Sequence, residues 1–223
     1  PKIVVLTGAG ISAESGLKTF RDSNGLWEGH DVMEVATPEG FERNPELVLD
    51  FYSLRRKQLL ESKPNAAHIS LNKLSEKYKL HIVTQNIDDL HERSGSEKVL
   101  HLHGKLRESK SSVDDSLIYL IEGVNLKMGD LCEKGSQLRP NVVWFGEEVP
   151  KMIDAISITK KADIFIVIGT SLNVYPAASL LNYTNKANRI ILIDPKAEEE
   201  RSIEVRKEKA TIAVPKLVEE LLQ

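Results

Sequence analysis

Residues 2–12 read KIVVLTGAGIS, an apolar run that leads directly into a glycine-rich turn. A continuous apolar run predicts a strand that is buried on both faces, as in a parallel sheet. Glycines allow the backbone of the turn to approach a phosphate closely, and the N–H groups of a following helix favour an anion. The spacing of Gly8, Gly10 and Ala13 fits the dinucleotide pattern GxGxxA, which is not specific by itself. The stretch predicts the start of a nucleotide-binding fold.

The residues after the turn argue against an ordinary dinucleotide-binding dehydrogenase. Such a protein continues with a helix, a second strand and an acidic residue about 20 positions further on. Residues 14–27 read ESGLKTFRDSNGLW, which contains two glycines and no strand periodicity, so they predict a long loop over the cofactor. In that loop Arg21 lies between Phe20 and Trp27, where a guanidinium can bind phosphate in bidentate geometry; a solvated charge is the alternative.

Composition and charge restrict the class of protein. The 223 residues are 41% hydrophobic and 28% charged, which is typical of a soluble globular protein. A net charge of -3 provides no general attraction to nucleic acid, so we expect no nucleic-acid partner. No apolar stretch approaches the roughly 18 residues that span a bilayer, and the sequence opens on a strand pattern instead of a signal peptide. We therefore expect a cytoplasmic protein without a membrane partner. Cys132 is the only cysteine, which excludes an internal disulfide and a multi-cysteine metal site.

Further apolar runs and helical patterns alternate along the chain. Strands that alternate with helices predict an α/β fold, a Rossmann-like and mostly parallel sheet with helices on both faces. The predicted strands are 80–84, 98–104, 141–146, 163–169 and 189–194, and the predicted helices are 44–60, 68–77, 151–160, 176–184 and 215–223.

Two segments depart from this alternation and predict a second, smaller unit. Residues 24–62 are mainly helical and residues 105–140 are polar. We predict that these two segments pack together as a small inserted module, and that 1–23, 63–104 and 141–223 form the Rossmann-like domain. Polar groups with a chemical role should then collect at the carboxyl edge of the sheet and in the cleft beside the small module.

Polar side chains follow the predicted strands at 80–84 and 98–104. Gln85, Asn86 and Asp88 can bind an amide-bearing or sugar-bearing ligand; capping of the next helix is the alternative for one of them. His103 is followed by a glycine, and its imidazole can accept a proton near neutral pH, so it is the candidate general base. His101, two residues earlier on the same strand face, is interpreted as structural.

Three further stretches complete the candidate site. Gly169, Thr170 and Ser171 form a small-residue turn after the most apolar strand, and Asp194 ends the next strand, where a carboxylate can hold a ribose hydroxyl. Residues 140–147, PNVVWFGE, can offer backbone groups to an extended peptide, or they form a plain core strand.

In this order the stretches GAGIS, TFRD, TQNIDDLH, LHG, VVWFGE and GTSLNVYPA resemble the sirtuins, the family of NAD-dependent protein lysine deacylases, from Val4 to about Val214. The resemblance implies a Rossmann-like domain that binds NAD and a tunnel that admits an acylated lysine. It implies that His103 is the general base and that Asn86 and Asp88 orient the ribose and a water. The implied NAD contacts are Gly8, Ala9, Gly10, Arg21, Gln85, Asn86, Asp88, Gly169, Thr170, Ser171, Asp194 and Ala210.

The resemblance also implies the reaction and its acyl-lysine protein or peptide substrates. The acyl oxygen attacks the nicotinamide ribose, nicotinamide leaves, and His103 deprotonates the ribose hydroxyl that attacks next, which yields free lysine and 2′-O-acyl-ADP-ribose. Val143, Phe145 and Gly146 would line the lysine channel. The alternatives are a plain deacetylase, an ADP-ribosyltransferase on the same scaffold, or an NAD-binding module without turnover. The sequence indicates neither the protein substrates nor the oligomeric state.

One residue pair points to an anionic acyl group. Tyr52 and Arg55 are three residues apart and share a helix face. The pair resembles the Tyr-x-x-Arg signature of the class III branch, whose members remove succinyl, malonyl and glutaryl groups, and an arginine with a phenol suits the distal carboxylate of such a chain. A half-buried tyrosine beside a solvated arginine is the alternative. Ala13 matches the small residue that widens the acyl pocket in that branch.

The sequence departs from the sirtuin pattern in two places. Most sirtuins hold a structural zinc with two cysteine pairs, whereas 104–140 contains only Cys132, so a four-cysteine site cannot form and we expect no metal. We expect packing of Leu117, Ile118, Leu120 and Ile121 to hold the small module instead. Many relatives have asparagine in place of Asp194.

Overall fold

The computed structural model describes residues 1–18, 26–170, 172 and 177–223. Its strands are β1 Lys2–Thr7, β2 Leu26–Trp27, β3 His30–Asp31, β4 Lys79–Thr84, β5 Val99–His101, β6 Gly104–Ser111, β7 Ile118–Leu120, β8 Leu138–Val142, β9 Ile164–Ile168, β10 Arg189–Ile193 and β11 Glu204–Arg206. A six-stranded parallel sheet has the order β11-β10-β9-β1-β4-β5, a three-stranded antiparallel sheet has the order β7-β6-β8, and β2 pairs with β3.

Helices cover both faces of the parallel sheet. They are α1 Val32–Val35, α2 Pro38–Arg43, α3 Pro45–Glu61, α4 Ala66–Lys73, α5 Leu90–Arg93, α6 Met152–Thr159 and α7 Ala210–Leu222, with 3-10 segments at Ala9–Ile11, Ala13–Ser15, Leu74–Glu76 and Ala177–Tyr183. None of them, in the part of the chain that the structure describes, has the length and apolar character needed to cross a membrane.

The alternation of side chains along β1 explains why the strand is apolar throughout. Ile3 and Val5 pack with α4 and α7 on one face of the sheet, and Val4 and Leu6 pack with α6 and the segment Ala177–Tyr183 on the other. Both sets of side chains are fully buried, because the central strand of a parallel sheet faces a helical layer on each side. The predicted fold class, a Rossmann-like α/β sheet with helices on both faces, is confirmed.

The predicted strand 141–146 is wrong in its bounds and in its partner. Strand β8 ends at Val142 and pairs antiparallel with β6, outside the parallel sheet. Beyond Val142 the chain turns, because the carboxylate of Glu147 accepts the N–H of Trp144 and Gly146 has a φ of +88°. The predicted boundary between segments 105–140 and 141–223 therefore falls inside β8.

The last helix begins earlier than predicted. Helix α7 starts at Ala210 instead of residue 215, and Pro215 lies within it although it has no N–H to donate. Ala213, Val214 and Leu217 of this helix are buried against the sheet. Burial of that apolar face outweighs the hydrogen bond that proline removes.

Helix α3 and the antiparallel sheet are joined by a buried arginine. The Arg56 side chain donates from Nε to the Leu106 carbonyl at 2.8 Å and from Nη1 to the Val124 carbonyl. Burial lowers the pKa of Arg56 to about 10. Leu49 of the same helix packs with Ile121 and Leu126.

The apolar packing predicted for this part of the chain is wrong for two of its four residues. Ile121 is buried and Leu117 is half-buried, but Ile118 is 49% exposed and Leu120 is 70% exposed. Both lie on β7, an edge strand of the small sheet, and residues two apart on a strand point to the same side. That side of β7 faces solvent.

Polar contacts join the loops in which the cysteine pairs of the family are missing. The Lys134 ammonium lies 2.6 Å from the Asp114 carboxylate. The Ser111 hydroxyl accepts the N–H groups of Val113 and Asp114, both at 3.2 Å, and the Cys132 thiol donates to it at 3.5 Å. These contacts hold two neighbouring loops together without a metal ligand set.

We expect a chelator to leave the stability of this protein unchanged. The described residues contain no group of three or more histidine, cysteine, aspartate or glutamate side chains that could hold a metal. Incubation with EDTA should therefore leave the thermal unfolding midpoint where it is, and elemental analysis should find no stoichiometric zinc. A midpoint that EDTA lowers and added zinc restores would contradict this prediction.

Candidate active site

The glycine turn after β1 packs backbone to backbone against the turn after β9. The N–H of Gly8 donates to the Ile168 carbonyl and the N–H of Gly10 donates to the Gly169 carbonyl, both at 2.9 Å. A Cβ on Gly169 would lie 2.4 Å from the Ile11 nitrogen, and one on Gly10 would lie 2.7 Å from the Gly169 Cα. The glycines are thus required by the contact between two turns. The N–H groups of Gly8 and Gly10 are used in this contact, so any hydrogen bonds to a bound phosphate must come from other donors.

A cavity of about 270 Å³ opens beside these two turns. Its lining includes residues predicted to bind the cofactor from four separate parts of the chain: Ala9, Gly10, Gly169, Asp194 and Ala210. Lys196, Lys209 and Glu14 also line it, and the Lys209 ammonium lies 3.8 Å from a Glu14 carboxylate oxygen. Cations, a buried carboxylate and small residues suit a ligand that carries phosphates and ribose hydroxyls.

Asp88 is held beneath the glycine turn by a buried network. Its Oδ2 accepts the hydroxyl of Ser12 at 2.8 Å, and its Oδ1 accepts the N–H of Leu90 at 3.1 Å. The second bond lies at the start of helix α5, although the N-cap residue of that helix is Asp89. Burial raises the pKa of Asp88, and the Ser12 and Leu90 hydrogen bonds oppose that rise.

Ser12 is itself oriented by a buried histidine. His68 Nδ1 accepts the N–H of Asn65 at 3.2 Å, so the proton of the neutral ring lies on Nε2, which is 3.4 Å from the Ser12 hydroxyl. Burial lowers the pKa of His68 to about 4, which keeps the ring neutral near pH 7. The neutral ring therefore donates to Ser12, and Ser12 donates to Asp88.

Asn86 is tied to the same turn. Its side-chain amide donates to the Gly8 carbonyl at 3.0 Å, and its backbone N–H donates to the Thr84 hydroxyl at 3.1 Å. Asn86 and Asp88 are both less than a tenth exposed. The structure thus brings the predicted residues Asn86 and Asp88 together with the glycine turn at the carboxyl edge of the sheet.

The ring of His103 has a defined proton position. Its Nδ1 lies 3.0 Å from the Gln85 carbonyl, which can only accept, so Nδ1 carries the proton of the neutral ring and Nε2 has the free lone pair. Burial lowers the pKa of His103 from its ordinary value of 6.5. A neutral ring with one unprotonated nitrogen is what a general base requires at pH 7.

The segment predicted to bind peptide continues from β8 past His103. The N–H of Val143 donates to the His103 carbonyl at 2.8 Å, and the N–H of Phe145 donates to the Ala36 carbonyl at 2.9 Å. Phe145 is 51% exposed, and Gly146 is also exposed. Residues 143–146 form an irregular strap between His103 and Ala36, which follows helix α1. The core-strand alternative is therefore wrong beyond Val142.

An aromatic and ionic cluster supports the strap from below. The Arg139 guanidinium lies 3.5 Å from the centroid of Trp144 and forms two hydrogen bonds of 2.8 and 2.9 Å with the Glu147 carboxylate. The buried Trp144 indole donates to the Tyr52 hydroxyl at 3.0 Å. Tyr52 is therefore joined to the strap, and burial raises the pKa of its phenol.

Arg55 lies beside this cluster and already has a charged neighbour. Its Nε donates to the Gln58 side chain at 3.1 Å, and its Nη2 lies 3.9 Å from a Glu28 carboxylate oxygen. Its guanidinium carbon lies 4.7 Å from the centroid of Phe51. The Arg55 side chain is only 11% exposed, so the solvated arginine of the alternative reading is not what the structure contains.

Two predicted residues lie outside the described part of the chain, and one has different neighbours. Arg21 and Ser171 are not among the described residues. Ala13 lines the cavity with Ala9 and Gly169, because it starts the second 3-10 turn after the glycine turn. Ala13 therefore lies beside predicted cofactor residues, and its predicted role in the acyl pocket stays a prediction.

Several residues of the site were missed by the sequence interpretation. Ser12 and His68 form the network under Asp88, and Lys196 and Lys209 line the cavity. Ser12 belongs to the GAGIS stretch, so its position beside the turn was a signal. The contact between Ser12 and His68 joins residues 56 positions apart, which no local pattern indicates.

Known proteins share both the sequence and the fold. The model of the Sir2 family matches residues 8–176. A protein of Helicobacter pylori called NAD-dependent protein deacylase is 52% identical over an alignment of 224 positions that covers 99% of this chain and 95% of that protein. A protein of the same name from Bacteroides thetaiotaomicron is 50% identical over an alignment of 228 positions that covers 99% of this chain and 97% of that protein.

Solved structures agree with the sequence comparison. A Sir2 homologue in complex with NAD superposes with a TM-score of 0.88 at 39% identity, covering 99% of this chain and 89% of its own. A Sir2 protein bound to an acetylated peptide superposes with a TM-score of 0.81 at 33% identity, covering 98% of this chain and 92% of its own. From the family model, these relatives and the shared fold, the chain belongs to the Sir2 family, the sirtuins.

Proposed function

We propose that this Sir2-family protein, an NAD-dependent protein deacylase, acts on acyl-lysine side chains with a preference for succinyl and malonyl groups. The products of the proposed reaction are free lysine, nicotinamide and 2′-O-acyl-ADP-ribose. The observation that supports the catalytic part most directly is His103. Its half-buried ring is oriented by the Gln85 carbonyl, which leaves Nε2 unprotonated, and its backbone carbonyl accepts the N–H of Val143 in the strap.

The cavity beside the glycine turn fits NAD. Asp194 is suited to ribose hydroxyls, and Lys196 and Lys209 are suited to the phosphates. Ala9, Gly169 and the other small lining residues leave room for the ligand at the two turns. When bound, NAD supplies a ribose carbon that accepts the acyl oxygen as nicotinamide leaves.

The remaining residues of the site orient the ligands and accept a proton from the ribose hydroxyl. Asn86 and Asp88 are fixed by the turn and by Ser12, so their polar groups are held in place before any ligand binds. His103 Nε2 takes the proton of the ribose hydroxyl after nicotinamide has left. The strap from Val143 to Gly146 offers backbone groups to the extended peptide and covers the lysine.

Mass spectrometry of matched peptides tests this function. Peptides with acetyl-, malonyl- or succinyl-lysine are incubated with the protein, with and without NAD. NAD-dependent loss of succinyl and malonyl ahead of acetyl supports the whole proposal. Loss of acetyl first refutes the preference and leaves a deacetylase, and an ADP-ribosylated protein without peptide product indicates a transferase instead. NAD binding without any turnover refutes the proposed activity.

The preference for an anionic acyl group is supported by the charge at Arg55. A distal carboxylate can take the place of Glu28 and form a closer pair than the present 3.9 Å. The Tyr52 hydroxyl accepts the Trp144 N–H and keeps its own proton to donate.

Arg55→Met should lower kcat/KM for the succinyl peptide much more than for the acetyl peptide. Loss of a hydrogen-bonded charge pair costs about 1.5–3 kcal/mol, so we expect kcat/KM for the succinyl peptide to fall by roughly 10- to 100-fold. The acetyl peptide has no distal carboxylate, and its kcat/KM should change by less than about threefold on the same argument. Lys57→Met, an exposed position on the same helix, is the control. Equal losses for both peptides would contradict the preference.

Glu28→Gln is the companion variant. It keeps the size of the side chain and removes the negative charge that competes with the acyl carboxylate for Arg55. The ratio of succinyl to acetyl turnover should rise, because the ligand no longer displaces a like charge. A ratio that stays unchanged or falls would show that Glu28 does not compete with the substrate.

A further inference from the structure

We propose that His101, together with Glu92, is a positioning residue that fixes the backbone of the loop carrying Asn86 and Asp88. The proposal rests on the proposed function, because it assigns a purpose to the geometry of these two side chains. The sequence alone led to a structural interpretation of His101, and the contacts described next give the residue a more specific role.

His101 and His103 hold neighbouring carbonyl groups of the same loop. The Nδ1 atom of His101 lies 2.9 Å from the Asn86 carbonyl, and the Nδ1 atom of His103 lies 3.0 Å from the Gln85 carbonyl. A carbonyl oxygen can only accept, so both Nδ1 atoms carry protons. The two rings form parallel bonds to consecutive residues of the loop.

The second ring nitrogen distinguishes the two histidines. His101 Nε2 lies 2.6 Å from the Glu92 carboxylate, whereas the described residues provide no hydrogen-bond partner for His103 Nε2. Both nitrogens of His101 therefore face acceptors, and the ring is positioned as a donor on each side. His103 Nε2 is therefore left for chemistry, whereas both ring nitrogens of His101 are engaged by protein groups.

Glu92 is an ionised acceptor for the His101 ring. Burial alone would raise the pKa of Glu92, but the hydrogen bond and the charge of His101 outweigh it and the pKa is lowered. The His101 side chain is only 3% exposed, whereas the Glu92 side chain is 35% exposed. A short carboxylate bond in such a site restrains the ring.

Asn86 is consequently held from three directions. Its N–H donates to Thr84, its side chain donates to Gly8, and its carbonyl accepts from His101. Loss of the hydrogen bond from His101 leaves the Asn86 carbonyl unrestrained, and with it the peptide group that joins Asn86 to Ile87, next to Asp88. A displacement of about 1 Å in a catalytic site can cost about 100-fold in rate, so this restraint is large enough to matter.

Two substitutions remove the two hydrogen bonds of His101 one at a time. His101→Asn keeps a donor near the position of Nδ1 and therefore the bond to the Asn86 carbonyl, but it loses the bond to Glu92. His101→Gln keeps a donor near the position of Nε2 and therefore the bond to Glu92, but it loses the bond to Asn86. Both variants place an amide in the same buried site, so their thermal midpoints should be similar.

The first readout does not require turnover. Deuterium uptake across residues 84–90 is compared in the wild type and both variants. We expect faster uptake in His101→Gln than in His101→Asn, because only the former releases the Asn86 carbonyl. Equal uptake in the two variants would overturn the proposal, whether or not the protein is active.

The second readout measures nicotinamide exchange into NAD and turnover of the acetyl peptide. His101→Gln should lose at least about tenfold in both rates, and His101→Asn should lose only about two- to fivefold, because it keeps the bond to the Asn86 carbonyl and loses only the restraint from Glu92. The KM of the peptide should be unchanged in both. Equal rates in the two variants would overturn the positioning role, whereas a wild type without NAD-dependent product would refute the proposed function.

Glu92→Gln provides a variant that leaves the histidine in place. It keeps an acceptor for His101 Nε2 and removes the charge, so the protein should fold with an unchanged thermal midpoint within a few degrees. We expect a several-fold loss in nicotinamide exchange and faster deuterium uptake across residues 84–90. Wild-type values for both would overturn the role of the carboxylate, even if neither His101 variant folds.

Discussion

His103→Asn is expected to lower NAD-dependent deacylation by roughly 10²- to 10⁴-fold, the usual contribution of a general base, while nicotinamide exchange persists. Asparagine keeps a donor for the Gln85 carbonyl and so preserves the bond of His103 Nδ1. It has no basic nitrogen in place of Nε2. The loss then measures proton abstraction and not the position of the loop.

The order of the steps explains why exchange should persist. In the proposed mechanism His103 acts on the ribose hydroxyl only after nicotinamide has left, so the variant should still release and reincorporate nicotinamide. The measurements are mass spectrometry of the peptide product and incorporation of labelled nicotinamide into NAD. His81→Asn is the control, because this half-buried ring lies among Lys2 and Lys98, away from the loop at 85–88. Product formation near the wild-type rate in His103→Asn would contradict the base assignment.

The pH profile gives a second view of the same group. The neutral ring is the active form, and burial lowers the pKa of His103 below 6.5. As the pH falls, kcat/KM should therefore decline with a midpoint below 6.5. An acid limb with its midpoint above 6.5 would indicate that another group controls the rate.

Gly169→Ala should cause the largest loss of stability and of NAD binding. The residue has a φ of +68°, and a Cβ would lie 2.4 Å from the Ile11 nitrogen and 2.7 Å from the Gly10 carbonyl carbon. The left-handed conformation costs roughly 1–2 kcal/mol, and the backbone clash adds roughly 1–3 kcal/mol because two turns must separate. For a chain of this size that corresponds to a fall of about 10 °C in the thermal midpoint.

A matched glycine separates the two causes. Gly135 has a φ of +78°, but nothing lies within 4 Å of a Cβ at that position. Gly135→Ala should therefore show only the conformational cost, with NAD affinity unchanged. Thermal unfolding and calorimetric titration with NAD give both quantities. If Gly169→Ala unfolds at the same temperature as Gly135→Ala and binds NAD equally well, the turn-to-turn contact is not required.

Sequence patterns located the candidate site residues because these residues follow buried strands. The apolar runs indicate where strands end, and the carboxyl ends of parallel strands meet at one edge of a sheet. The sequence therefore predicts that Asn86, Asp88 and Gly169 lie near one another, and the structure brings them together at the glycine turn. The same logic was wrong for residues 141–146, because an apolar run does not reveal whether its partner strand is parallel or antiparallel.

The sequence by itself determined the parallel sheet, the glycine turn and the family, since these depend on residue types in a fixed local order. The tertiary structure alone decided which side chain meets which partner: Ser12 with His68, Arg55 with Glu28, and His101 with Glu92. It also decided which apolar side chains are buried, because Ile121 and Leu120 look alike in sequence and only one lies inside. The physical reason is that periodicity reports the conformation of a segment, whereas partners and burial depend on how distant segments pack.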